Sequence, residues 1–109
     1  MQGRNYFFKK FLLKEIILKR KKNIENLILK NYEPKFVSVI DVSEQHRGHQ
    51  NFKEDVESHF EIIIVSEKFK NLNRIERHRM VNQSLREEFL SDLHSVIIKT
   101  YTIEEYKNN

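Results

Sequence analysis

Ile62-Ile63-Ile64-Val65 places four β-branched side chains in a row inside the segment His59-Phe60-Glu61-Ile62-Ile63-Ile64-Val65-Ser66. Such side chains are stiff at χ1 and suit a pleated surface. A run without polar alternation is typical of a strand covered on both faces. The segment therefore predicts the central strand of a sheet, and the other elements must cover it. Phe36 to Val42 is β-branched with partial alternation and predicts a second strand. Ser95 to Tyr101 predicts a third.

Helical periodicity fills most of the intervals. Ile24, Leu27, Ile28 and Tyr32 follow an i, i+3, i+4 spacing and predict a helix over residues 20–31. Pro34 ends it, because a residue that precedes proline avoids the α region. Asn73 caps a longer helix over 74–92, with Ile75, Val81, Leu85, Phe89 and Leu93 assigned to its apolar stripe. Thr102-Ile103-Glu104-Glu105 is a capping box that opens a short last helix. Residues 43–58 are polar and form a loop longer than a hairpin needs. The order is α-β-β-α-β-α, in one domain of 109 residues, with no internal repeat, linker or low-complexity tract.

Composition removes several function classes. The chain has no Cys, which excludes a disulfide framework, a thiolate nucleophile and a self-sufficient cysteine-ligated cluster. Its two glycines, Gly3 and Gly48, cannot supply a glycine-rich phosphate loop. No carboxylate pair, nucleophile–base motif or His-Glu-x-x-His is present, which argues against an enzyme. No apolar run approaches the length of a membrane span.

The net charge of +4 is unevenly placed. Residues 1–22 contain eight basic groups and only Glu15 as an acid, hence +7. The remaining 87 residues carry 12 basic and 15 acidic groups, hence −3. A basic segment of this kind is either solvated or drawn to nucleic acid or an anionic membrane surface. Residues 1–19 lack the uninterrupted apolar run of a secretory signal. They read as an extension continuing into the first helix, an interfacial anchor or an N-terminal addition, and the expected division is 1–19 extension, 20–109 domain.

Read in order, the chain carries Pro34, Val37-Ser38-Val39-Ile40-Asp41, His46-Arg47-Gly48-His49, Glu57-Ser58-His59-Phe60, Ile64-Val65-Ser66 and Phe69. These are followed by Arg77-His78-Arg79-Met80-Val81, Leu85, Glu88, Leu93-His94 and Tyr101-Thr102-Ile103-Glu104-Glu105. This series resembles the BolA family over about residues 20–106. Glu-Ser-His-Phe followed by Arg-His-Arg and a later Leu-His is its most specific part. Asn71 stands where the family usually has Gly, Ser95 where Ala is frequent and Tyr106 where Trp is common. Asn tolerates the left-handed conformation that such a Gly serves.

The resemblance implies an α+β fold similar to type II KH domains, with a three-stranded mixed sheet. It implies a non-enzymatic cytoplasmic protein that pairs with a monothiol glutaredoxin and shares a [2Fe–2S] cluster with it and with glutathione, holding no cofactor when alone. The family's other described activity, DNA-binding transcriptional regulation, gives the alternative, and a weak homodimer completes the expected partners. Imidazole is a sound iron ligand, as in Rieske centres, and here the thiolates have to come from outside. By the resemblance His94 is the first ligand and His46 the second, with His49 three residues on as the alternative. His59 and His78 read as structural. The nucleic-acid candidates are Lys68, Lys70, Arg74, Arg77 and Arg79, grouped around the start of the long helix, where backbone N–H groups favour phosphate. Glu67 and Glu76 among them, and the acidic body, count against that use.

Overall fold

The computed structural model describes residues 2–42, 59–89 and 95–108. Its elements are helix α1 (Gln2–Tyr32), strand β1 (Phe36–Asp41), strand β2 (His59–Val65), a 3-10 turn (Glu67–Phe69), helix α2 (Arg74–Phe89), strand β3 (Ser95–Tyr101) and helix α3 (Ile103–Lys107). The sheet order is β1-β2-β3. β1 pairs antiparallel with β2, and β3 pairs parallel with it, so the sheet is mixed and the isoleucine-rich strand is central, as its composition requires. A parallel pair needs a crossover connection, and α2 lies in it.

Strand alternation sorts the residues onto two faces. On one face Val39, Phe60, Ile62, Ile64 and Ile98 join Ile24, Ile28 and Tyr32 of α1, Phe69 of the turn, and Val81 and Leu85 of α2 in a single core. The other face carries Phe36, Ile40, Ile63, Ile97 and Lys99. Val65 belongs to it yet is buried. Its register neighbours are Phe36 and Tyr101, whose rings both meet Tyr106 of α3, at 5.6 and 5.5 Å. Ile63 is only half-buried, so burial on both faces is complete at one end of the strand and partial at its middle. Lys99 and Glu61 form an ion pair of 2.9 Å there, which holds the Lys99 ammonium above its ordinary pKa.

Both expected caps are present. Asn73 Oδ1 accepts the Glu76 N–H at 2.8 Å, and Glu76 Oε1 accepts the Asn73 N–H at 3.3 Å. Thr102 and Glu105 exchange the same pair of bonds at the head of α3. Asn71 has φ 68°, the left-handed value anticipated for it, and Glu33, just before Pro34, has φ 42°.

Two expectations need revision. The first helix, expected over residues 20–31, runs from Gln2 to Tyr32 as α1, in keeping with the reading of 1–19 as an extension continuing into it. Charge and lysine content do not stop a helix, and residues 4–32 contain neither Gly nor Pro. Ile75 is 63% exposed and does not belong to the α2 stripe. It lies six positions before Val81, a rotation of roughly 240° at 100° per residue, which is off the core face.

Candidate functional site

Two regions hold the candidate residues. The first is the end of the sheet where β2 begins. The last β1–β2 pair is Asp41 with Phe60, and the Val42 N–H then donates to His59 O at 2.8 Å. The chain thus leaves β1 and re-enters β2 at one end of the sheet. Because β3 runs parallel to β2, it also starts there, with Ser95 opposite His59. His46 and His49 fall between Val42 and His59 in the chain, and His94 immediately precedes Ser95. All three lie outside the described residues. His59 is half-buried and engaged with its surroundings. His78 is half-buried on α2, beside the core positions Val81 and Leu85. Among the described residues no group of three His, Cys, Asp or Glu is placed to hold a metal ion.

The second region is the turn that leads into α2, and there the five cations separate into two kinds. The Arg77 side chain is only 11% exposed. Its Nε donates to Leu72 O at 2.8 Å, and its Nη1 to Glu105 Oε1 at 2.7 Å. Its guanidinium also sits 5.9 Å from the centre of the Phe69 ring. Lys68 Nζ donates to Asn31 O at 3.1 Å, at the C-terminal end of α1, and lies 3.8 Å from Glu33. A lysine at a helix C-terminus satisfies an orphan carbonyl and suits the helix dipole. Arg77 and Lys68 therefore serve the fold. Lys70, Arg74 and Arg79 are exposed at the start of α2.

Glu105 is held well below the usual carboxylate range, at about 2, first by the Thr102 N–H and then by Arg77. Sequence reasoning grouped Arg77 with the surface cations because its partner lies 28 residues away. The capping box did single out Glu105, but not the second donor to its carboxylate.

The region 28–105 matches the family model described as BolA-like protein. The chain belongs to the BolA family. It is 38% identical over 84 residues to the DNA-binding transcriptional regulator BolA of Vibrio cholerae, a match that covers 77% of this chain and 76% of that one. Among solved structures, BolA1 from Arabidopsis thaliana is 35% identical with a TM-score of 0.65, over 78% of this chain and 93% of that chain. The BolA domain of SufE1 from Arabidopsis thaliana is 34% identical with a TM-score of 0.67, over 79% and 94% respectively. The BolA fold of this chain is thus α+β, with helices packed on a three-stranded mixed sheet. No helix among the described residues is long and apolar enough to cross a membrane.

Proposed function

We propose that this BolA-family chain is a non-enzymatic cytoplasmic protein that partners a monothiol glutaredoxin and shares a [2Fe–2S] cluster with it and with glutathione. One observation carries the reading. The register that sets Ser95 opposite His59 brings the start of β3 and both ends of segment 43–58 to one end of the sheet. In the chain His94 directly precedes Ser95, and His46 follows Val42 by four residues. The donor set agrees. A chain with five His and no Cys offers imidazole alone among the usual cluster ligands, so a cluster needs thiolates from a companion.

In this reading His94, with His46 or His49, would hold one iron. The cluster, when bound, supplies a redox-active and transferable iron–sulfur group. The chain's own part would be to supply imidazole donors, which bind iron in their neutral form. Mixing the protein with a cluster-loaded monothiol glutaredoxin tests this. Visible absorption and circular dichroism should change on mixing, and His94→Ala should abolish the change. Spectra unaffected by mixing, or identical for wild type and His94→Ala, would refute the assignment.

A second reading, DNA-binding transcriptional regulation, is favoured by the names of the relatives from Vibrio cholerae and Escherichia coli. Lys70, Arg74 and Arg79 are exposed around the start of α2, while Lys68, also exposed, is bonded to the end of α1. Salt-dependent binding to duplex DNA, weakened by Arg79→Ala, would support this reading.

A further inference from the structure

Helix α1 is far longer than the sheet it packs on. Its 31 residues span roughly 46 Å at 1.5 Å per residue, and a seven-residue strand spans roughly 23 Å. Among the described residues, those it buries in the core are Ile24, Ile28 and Tyr32, all from its last nine positions. The molecule accordingly measures 57 × 26 × 22 Å, and its radius of gyration of 16.1 Å exceeds the roughly 13 Å expected of a compact chain of this size. The N-terminal half of α1 is an arm.

The composition of this arm is unusual for a helix in water. Nine of the 13 residues from Tyr6 to Leu18 are large and apolar. Where described, they are open to solvent, with Leu12 44% and Leu18 57% exposed. A shallow groove lies along Leu12, Glu15, Leu18, Lys19 and Lys22. The +7 charge of residues 1–22 falls on the same arm, and the body it leaves behind is net negative.

We propose that the N-terminal arm of α1 binds an anionic lipid surface, lying in the headgroup region without spanning the bilayer. The two properties of the arm select this occupant. Nucleic acid would neutralise the cations but leave the leucines in water. An apolar protein groove would cover the leucines but gain little from a net charge of +7. A bilayer of acidic lipids offers an acyl boundary and anionic headgroups together, and stable peripheral attachment takes both signals. Apolar positions are spread around the helix, and lysine suits such a setting because its stem can lie along apolar surface while its ammonium group reaches a headgroup. The charges distributed along the helix leave no described stretch apolar enough to cross a membrane.

The test is co-sedimentation of the full chain with vesicles of phosphatidylcholine alone or of phosphatidylcholine mixed with phosphatidylserine. The protein should sediment with the mixed vesicles only, and should be released as salt rises from about 0.1 M to about 0.5 M. Lys19→Gln with Lys22→Gln should weaken partitioning roughly 25-fold, about fivefold for each charge. Leu12→Asp with Leu18→Asp should weaken it at least as much, whereas Lys70→Gln on the body should leave it unchanged. Far-UV circular dichroism and thermal melting verify that each variant is folded. The proposal is overturned by folded Leu12→Asp/Leu18→Asp protein that still sediments like wild type. It is equally overturned by a full chain that ignores acidic vesicles while its arm binds duplex DNA or another protein.

Discussion

Arg77 and Glu105 meet at 2.7 Å across 28 residues of sequence, and the contact ties the first turn of α2 to the first turn of α3. Each group serves two masters. Arg77 also closes the preceding turn through Leu72 O, and Glu105 also accepts the Thr102 N–H at 2.7 Å. Arg77→Ala should therefore loosen both the turn and the short helix. Its side chain is largely buried, but that of Glu105 is half-exposed, so solvent screening keeps the loss to about 1–2 kcal/mol. Urea unfolding of Arg77→Ala, Glu105→Gln and the double variant should yield a clear coupling energy, and strict additivity would deny the contact any role.

The same carboxylate sets a pH dependence. Its pKa falls on folding from 4.5 to about 2, so its ionised form is favoured by the native state. The stabilisation is complete above 4.5 and disappears as pH falls from there through about 2. Wild type should lose stability across that interval more steeply than Glu105→Gln, as read from melting temperature against pH. Parallel curves would remove Glu105 from the account.

Two buried hydroxyls should respond in opposite ways. Ser66 Oγ donates to Tyr32 O and accepts the Lys68 N–H, joining the end of α1 to the turn after β2. Ser66→Ala should cost about 1–3 kcal/mol. Thr100 Oγ1 is buried without a hydrogen-bond partner among the described residues. Thr100→Val keeps the β-branched shape and removes an unpaired polar atom, so it should stabilise by about 1 kcal/mol. Denaturant midpoints of the two variants should move in opposite directions.

Asn71 is held at φ 68° in the turn before α2. Asn71→Gly should be neutral or slightly stabilising, and Asn71→Ala should destabilise by about 1 kcal/mol, because a Cβ without a compensating side-chain bond disfavours this region. A thermal melt in which Ala and Gly behave alike would contradict the geometry.

The surface cations separate the two functional readings. Lys68 is bonded to the end of α1, so Lys68→Ala should lower stability more than it lowers any affinity for duplex DNA. Arg79→Ala should do the reverse if α2 contacts phosphates, and each lost phosphate contact should reduce the salt slope of binding by about one. Equal effects of both substitutions on DNA affinity would show that the division between bonded and exposed cations carries no functional meaning.

Local chemistry made most of the fold legible. The β-branched run of Ile62 to Val65 announced the central strand and Thr102 with Glu105 announced a capping box, because each depends on neighbours within a few positions, whereas the left-handed turn at Asn71 followed from the family resemblance. Family resemblance reached further along the chain and is matched by the residues 28–105 of the BolA-like model. Ile75 went astray because apolar character was weighed without its angular position. Arg77 was grouped with the surface cations because nothing within reach of it along the chain reveals Glu105.

The amino-acid order by itself determined the elements, their caps, the absence of thiolates and the concentration of positive charge in residues 1–22, since these follow from backbone preference and composition. Only the tertiary structure decided which cations are spent inside the fold, that Ser95 lies opposite His59, and that α1 outruns its sheet. Those facts depend on pairs distant in sequence, and packing alone determines which of them meet.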